Sequence, residues 1–587
     1  MSVKVLLPDV PVIKFRYESA NCPICNKKLK VRSTEPFRQG VTLHIGKFIA
    51  YHTILSCDCQ SKPTIFRSEQ LKGLLPSCAN FGYDIIEYIG KAIFQRFKTG
   101  LEVVEELALS NVHISTSEVG YLAKKFIVYL SVLHKNSEDK ISECMQAKGG
   151  YILHIDGTSD GRSPHLISAL DEISKFVLAN IKIPTENADD IADSLLEKVK
   201  KRFGKPVAVV CDLGRAMLGA ISKVFPSILV FVCHFHFLRD IGKDLLNKPY
   251  EQIRNSLKRH GISTKLRYRL QYYLKFIENL EISFDKIMQL EKLREELDKS
   301  GMSTICYTLI QWALDGKMQG NGYGFPFDKP HFHFYERLCL LYSSLKIMQN
   351  HISDKSPKNG KIISYLINDL QPLIEDDKAK EAADAFLQKN KVFERLRLAM
   401  RIASTDSKKG LNDEGENHDM KTIEQRTIDF RNWLVGDEIY KNDKAYHKVI
   451  EQIDKYRDKL FADPIILKTL HGEITIQPQR TNNLLEQFFR DFKRNHRRTS
   501  GDNSIAKKLQ TMFADTTLVK NLDNPEYMSI ILAGKASLAE CFAEIDHDCI
   551  QKEFKKASQP ENKIPAKIKK VIKKEDVPKL FVNLCQN

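Results

Sequence analysis

Two aspartates, Asp156 and Asp212, each close a short apolar run, YILHID and PVAVVCD. A carboxylate at the C-terminal end of a strand in an open α/β sheet faces the crevice where such sheets bind their ligands. If the two strands are neighbours, the charges share that crevice and repel unless a divalent cation neutralises them. The stretch HIDGTSDG around Asp156 leaves a plain turn former as the alternative, because glycines and small hydroxyl residues follow the aspartate. In-line phosphoryl chemistry on two magnesium ions needs a third carboxylate. The candidate is Glu486, in QRTNNLLEQFFRDFKRNHRRTSGDN. On a helix, Leu485, Phe488, Phe489 and Phe492 make an apolar stripe, and Glu486, Arg490, Lys493 and Arg497 line the next face. The competing reading is a surface ion pair between Glu486 and Arg490. Glu336 and Glu473 compete for the place of the third carboxylate.

A second cluster is built for metal without catalysis. NCPIC holds Cys22 and Cys25, and SCDC holds Cys57 and Cys59. Two close thiolate pairs brought together by a fold-back make a tetrahedral four-cysteine zinc site. Between them VTLHIGKFIAYHTIL predicts a β-hairpin turning at Gly46-Lys47, with buried apolar cysteines as the alternative.

The elements that must position these residues follow from the patterning. Residues 1–75 read as a zinc-binding β-ribbon. Residues 76–145 read as a helix-turn-helix region, with Ser115 to Glu118 as a capping box opening a helix that carries Lys124 and Lys125 toward DNA. The stretch 146–246 alternates strands with helices as the first part of an α/β catalytic core, in which three meandering strands precede strands reached through helices. Residues 247–478 read as an α-helical insertion. The core resumes over 479–556 with the glutamate helix and further helices, and 557–587 is a proline-punctuated, lysine-rich arm expected to be flexible. His331 and His333 fall in a turn-rich segment within the insertion.

At 587 residues several domains are expected. The 90 Lys+Arg against 74 Asp+Glu give a formal charge of +16, which favours a polyanionic partner. The chain has neither a run of roughly 18 uncharged apolar residues nor a signal-peptide core, so no membrane partner is expected and the protein is expected inside the cell. The 13 cysteines then point to reduced thiols and one metal site rather than a disulfide framework.

Asp156, Asp212 and Glu486 resemble the catalytic triad of the DDE transposases, and the chain is most similar to the Mutator-like group and its bacterial insertion-sequence relatives. In that group a C-x2-H motif follows the second aspartate, and Cys233 and His236 match it here. TNNLLEQFFRDFKRNHRRTSG resembles the family's glutamate helix with its basic run, which includes Arg490, Lys493, Arg497 and Arg498. The resemblance implies a ribonuclease H-like core interrupted by a helical insertion. It also implies two Mg²⁺ (or Mn²⁺) ions on the triad, structural zinc, and double-stranded DNA as terminal repeats and as target. The implied activity is metal-dependent strand cleavage and strand transfer by a homodimer or higher oligomer, in the cytoplasm at the nucleoid, or in the nucleus of a eukaryote. The rivals are another ribonuclease H-like nuclease of the junction-resolvase type and a transposase-derived DNA-binding regulator.

Overall fold

The computed structural model describes residues 10–559 except 61, 289–297, 353–356, 404–419, 442, 462, 470–471, 479 and 482. The lysine-rich arm, beyond its first three residues, lies outside the described residues. The chain divides into two units, one formed by Met1–Phe231 with Pro464–Asn587 and the other by Val232–Asp463.

The first unit is mixed α/β and is built on a five-stranded sheet of β5 (Ile152–Thr158), β6 (His165–Asp171), β7 (Val177–Ile183), β8 (Ala208–Cys211) and β9 (Leu229–Val232), in the order β7-β6-β5-β8-β9. β5, β6 and β7 form an antiparallel meander, whereas β8 lies parallel to β5. β5 shows no in-out alternation because almost all of it is buried, as a central strand covered on both faces must be. The helix Arg215–Val224 connects β8 to β9.

The edge strand β7 is closed by a side chain from far down the chain. Asn521, which is fully buried, accepts the Val177 N–H at 2.7 Å and donates to the Val177 carbonyl at 2.9 Å. Its carboxamide therefore stands in for the peptide of a neighbouring strand, which blunts an otherwise open edge.

Before the sheet come the helices Tyr83–Phe94, Gly100–Leu109 and Thr116–Asn136. Ser115 caps the last of these, its hydroxyl accepting the Glu118 N–H at 3.2 Å. That helix continues to Asn136, and from Phe126 to His134 every side chain is buried. Only its N-terminal half presents an outer face. Gly90 is required where it crosses the Thr116–Asn136 helix, since a Cβ there would stand 2.1 Å from the Phe126 ring.

The N-terminal ribbon comprises β1 (Val12–Arg16), β2 (Lys30–Thr42), β3 (Gly46–Cys57) and β4 (Thr64–Phe66). β2 and β3 pair as a hairpin with Thr42 opposite Gly46, so the turn is Leu43–Ile45 rather than Gly46-Lys47. Gly46, at φ +73°, takes the left-handed position at the close of the turn, and the Ile45 N–H is satisfied by the Thr42 hydroxyl at 3.1 Å.

The second unit is helical, and beyond Val232, the last residue of β9, its described residues include no strand. It begins at Val232 and ends at Asp463, whereas the sequence placed the insertion at 247–478. The cause is the helix His234–Arg259, which runs through Pro249 instead of stopping near 246. The glycine- and aromatic-rich break ends at Pro330, where the helix Pro330–Ile352 starts. His331 and His333 therefore lie in a first helical turn, not in a turn-rich loop. His333 meets Glu336 at 3.4 Å, and the His331 N–H donates to the Tyr250 hydroxyl at 3.3 Å. Inside this unit Lys329, 5 % exposed, is paired with Glu394, which also holds the buried Arg397.

Candidate metal centres

The four N-terminal cysteines converge. Cys22 and Cys25 lie on a tight loop in which the Asn26 N–H donates to the Cys22 carbonyl at 2.8 Å, while Cys57 ends β3 and Cys59 follows it. The Cys22 and Cys59 sulfurs are 3.8 Å apart, those of Cys25 and Cys57 are 3.4 Å apart, and all four sulfurs lie within 4.8 Å of one another. Zn–S bonds of about 2.3 Å at tetrahedral angles require sulfurs about 3.8 Å apart, so the cluster could hold a metal ion such as zinc. Burial raises the Cys22 thiol, but the Cys25 and Ile24 N–H groups and the neighbouring sulfurs outweigh this and bring it down to about 7. Burial and the surrounding sulfurs push Cys59 up to about 12. The Cys22 thiolate thus forms readily, whereas those of Cys57 and Cys59 need a cation. His52 is not a competing ligand, because its Nε2 accepts the Ser68 N–H at 3.0 Å and its Nδ1 faces Glu35 at 3.5 Å.

Asp156 and Asp212 come from neighbouring strands. β5 and β8 run parallel with Ile155 opposite Cys211, and each aspartate is the next residue. Adjacent strands are about 4.8 Å apart, so Asp156, still within β5, and Asp212, the first residue past the end of β8, start from neighbouring backbone positions. Asp156 is 4 % exposed, and its Oδ1 accepts the Gly157 N–H at 2.7 Å. A nearly buried carboxylate beside a second one fits a site for a divalent cation.

Asp156 also stands opposite Ser168 on β6, and Ser168 stands opposite Asn180 on β7. A polar row, Asn180-Ser168-Asp156, therefore crosses three neighbouring strands of the sheet. Two positions before Asp156, His154 is fully buried and pairs with Glu172 at 2.9 Å. Asp171 organises the β6–β7 turn, accepting the N–H groups of Ile152, Ile173 and Ser174.

The glutamate helix is Asn483–Ser500. Leu485 and Phe489 are buried in the core that also contains Ile155, and Phe488 and Phe492 pack partly buried against it, as the apolar stripe predicted. The side chain of Glu486 lies outside the described residues. Arg490, Lys493, Arg497 and Arg498 are exposed. The segment just after this helix is tied to the loop after β5, because Asp160 accepts the Ser504 hydroxyl at 2.9 Å and the Ile505 N–H at 2.7 Å. These bonds hold the Asp160 carboxyl below the usual range. Of the rivals for the third carboxylate, Glu336 is exposed and belongs to the helical unit, and Glu473 is exposed on β11 (Gly472–Ile476), which pairs only with β10 (Ile465–Thr469).

Cys233 and His236 are both buried at the start of the helix His234–Arg259. Lys124 and Lys125 lie on the outer half of the Thr116–Asn136 helix, and their ammonium groups rest over the rings of Phe513 at 5.9 Å and Tyr121 at 4.8 Å. Among the described residues no helix is long and apolar enough to cross a membrane. Comparison with protein-family models and with curated proteins returns no match for this chain.

The row residues Ser168 and Asn180 escaped the sequence reading. Each is a small polar residue inside an apolar strand, HLISALD and VLANIKI, which is a visible signal. Their alignment with Asp156 depends on register.

Proposed function

We propose that the protein is a DNA transposase of the DDE type, with a ribonuclease H-like core, that cuts at the terminal repeats of its element and joins the freed ends to target DNA. The observation that carries this reading is that Asp156 and Asp212 each directly follow the register partners Ile155 and Cys211 of two adjacent parallel strands. The strand order supports it too, since an antiparallel meander is followed by a strand parallel to the first, as the ribonuclease H-like sheet requires. A helical unit inserted between Asp212 and Glu486 in the chain agrees with the family's organisation.

In this reading Asp156 and Asp212 hold divalent ions, Mg²⁺ or Mn²⁺, with Glu486 as the third ligand. Such ions supply an activated water and neutralise charge on the phosphate being cut. The exposed Arg490, Lys493, Arg497 and Arg498 would neutralise flanking phosphates. Lys124, Lys125 and a zinc-loaded ribbon would bind the element ends, and Cys233 and His236 would keep the family's motif role. Two or more copies would bring two ends together, in the cell compartment that holds the DNA.

The test uses the DNA that flanks the gene. Duplexes carrying its inverted repeats should be cut by the purified protein in Mg²⁺ and joined to a second duplex, and Asp156→Asn or Asp212→Asn should remove both activities. Undiminished cutting by both variants would sink the reading.

A further inference from the structure

A cavity of about 360 Å³ lies beside β7, between the Thr116–Asn136 helix, the residues 192–202 and the C-terminal helix His547–Ala557, and neither aspartate lines it. Five cationic side chains line it against two carboxylates, Asp515 and Glu553. Some of this charge is used locally: Lys135 pairs with Glu553 at 2.6 Å, Lys556 more loosely with the same carboxylate at 3.9 Å and Arg202 with Glu138 at 3.0 Å, and Lys182 donates to the Met512 carbonyl at 2.8 Å. Lys198 makes no hydrogen bond or ion pair among the described residues. Burial, with Lys556 and Arg202 close by, holds its ammonium below the ordinary lysine range.

The second observation is Asn180. Its carboxamide lines the same cavity, and among the described residues neither its Nδ2 nor its Oδ1 meets a hydrogen-bond partner although both are buried. A buried amide left without partners is destabilising unless a ligand or water satisfies it. A surplus of positive charge around an unsatisfied N–H donor is the environment an oxyanion stabilises. The remaining wall is apolar, formed by Val128, Met512, Phe513 and Leu518. The volume is that of a small-molecule pocket.

We propose that this cavity binds a small organic phosphate, a phosphomonoester whose head is held by Lys198, Arg202 and Lys556 with the Asn180 amide, and whose body rests on the apolar wall. The proposal does not depend on the function of the aspartate pair.

Calorimetric titration of the full-length protein with adenosine 5′-monophosphate, inorganic phosphate and adenosine tests this. Saturable binding of the monophosphate is expected, with inorganic phosphate weaker and adenosine undetectable. Binding of inorganic phosphate as tight as that of the monophosphate would assign the cavity to the free anion and overturn the organic body. Lys198→Met and Asn180→Leu, each verified as folded by circular dichroism, should weaken monophosphate binding at least tenfold. Adenosine binding as tightly as its monophosphate, or unchanged affinity in folded Lys198→Met, would overturn the proposal. So would loss of duplex-DNA affinity in Lys198→Met when the wild type binds no monophosphate, since the cations would then serve the DNA backbone.

Discussion

Asp212 stands beside Asp156 because Cys211 and Ile155 are register partners on parallel strands. Two carboxylates this close along the sheet repel unless a cation neutralises them. Replacing either with Asn removes one charge at nearly constant volume. Strand cleavage in Mg²⁺ is expected to fall at least about a hundredfold, about 2.7 kcal/mol of barrier, in a gel assay on labelled duplex. Duplex affinity should stay within a factor of about three, and thermal stability in the absence of divalent ions should rise.

The four-cysteine cluster is expected to bind one zinc ion per chain, measured by elemental analysis of protein purified without chelator. Cys22→Ser and Cys57→Ser should each lose the metal. The local core around Leu29 and Leu55 is small, so the ribbon should then become susceptible to protease while the five-stranded sheet stays folded. Equal metal content in wild type and both variants would contradict the assignment.

His134 gives the first unit an acid-sensitive core. Its Nε2–H donates to the Leu178 carbonyl at 3.0 Å, which leaves Nδ1 to accept the Tyr527 hydroxyl at 2.8 Å. Burial holds its pKa down at about 4, from an ordinary 6.5. Because the folded value is the lower one, the unfolded chain binds the proton first. The stabilisation is complete above about pH 6.5 and is lost as the pH falls toward 4, up to about 3 kcal/mol in all. Urea midpoints at pH 7 and pH 5 should differ in the wild type and converge in His134→Asn. A pH-independent wild-type midpoint would refute the assignment.

Asn521→Leu should destabilise the first unit by about 2–4 kcal/mol, since it leaves both the N–H and the carbonyl of Val177 unpaired at a buried edge. Asn521→Asp keeps the acceptor and loses the donor, so it should also destabilise. Denaturant unfolding followed by circular dichroism measures both.

Much of the sheet was legible because its strands are apolar runs closed by turn residues. KFVLANIKI, PVAVVCD and SILVFVCHF contain the observed strands, YILHID and HLISAL stop two residues and one residue short of theirs, and the two aspartates were visible where two of those runs stop. The cysteine pairs were legible from spacing alone. What could not be read was anything set by partners distant in sequence. The helix read as ending near Leu246 runs on through Pro249 to Arg259. The Ser115 cap correctly opened a helix, but nothing local told that its second half would be buried all round. The polar row and the basic cavity depend on register and on the C-terminal helices, which no local pattern encodes.

The bond pair between Asn521 and Val177 spans 344 positions of the chain, and the helical unit is synthesised between them. During translation β7 therefore leaves the ribosome long before its cover exists. At about 5–20 residues per second the edge stays open for tens of seconds. An uncovered strand edge is a template for pairing with another nascent chain. Lys182, on the same strand, places a charge on that edge until Gln510 and Met512 arrive to receive it. The strand thus carries its own temporary protection against aggregation, and a chain cut short before residue 510 would keep the hazard for good.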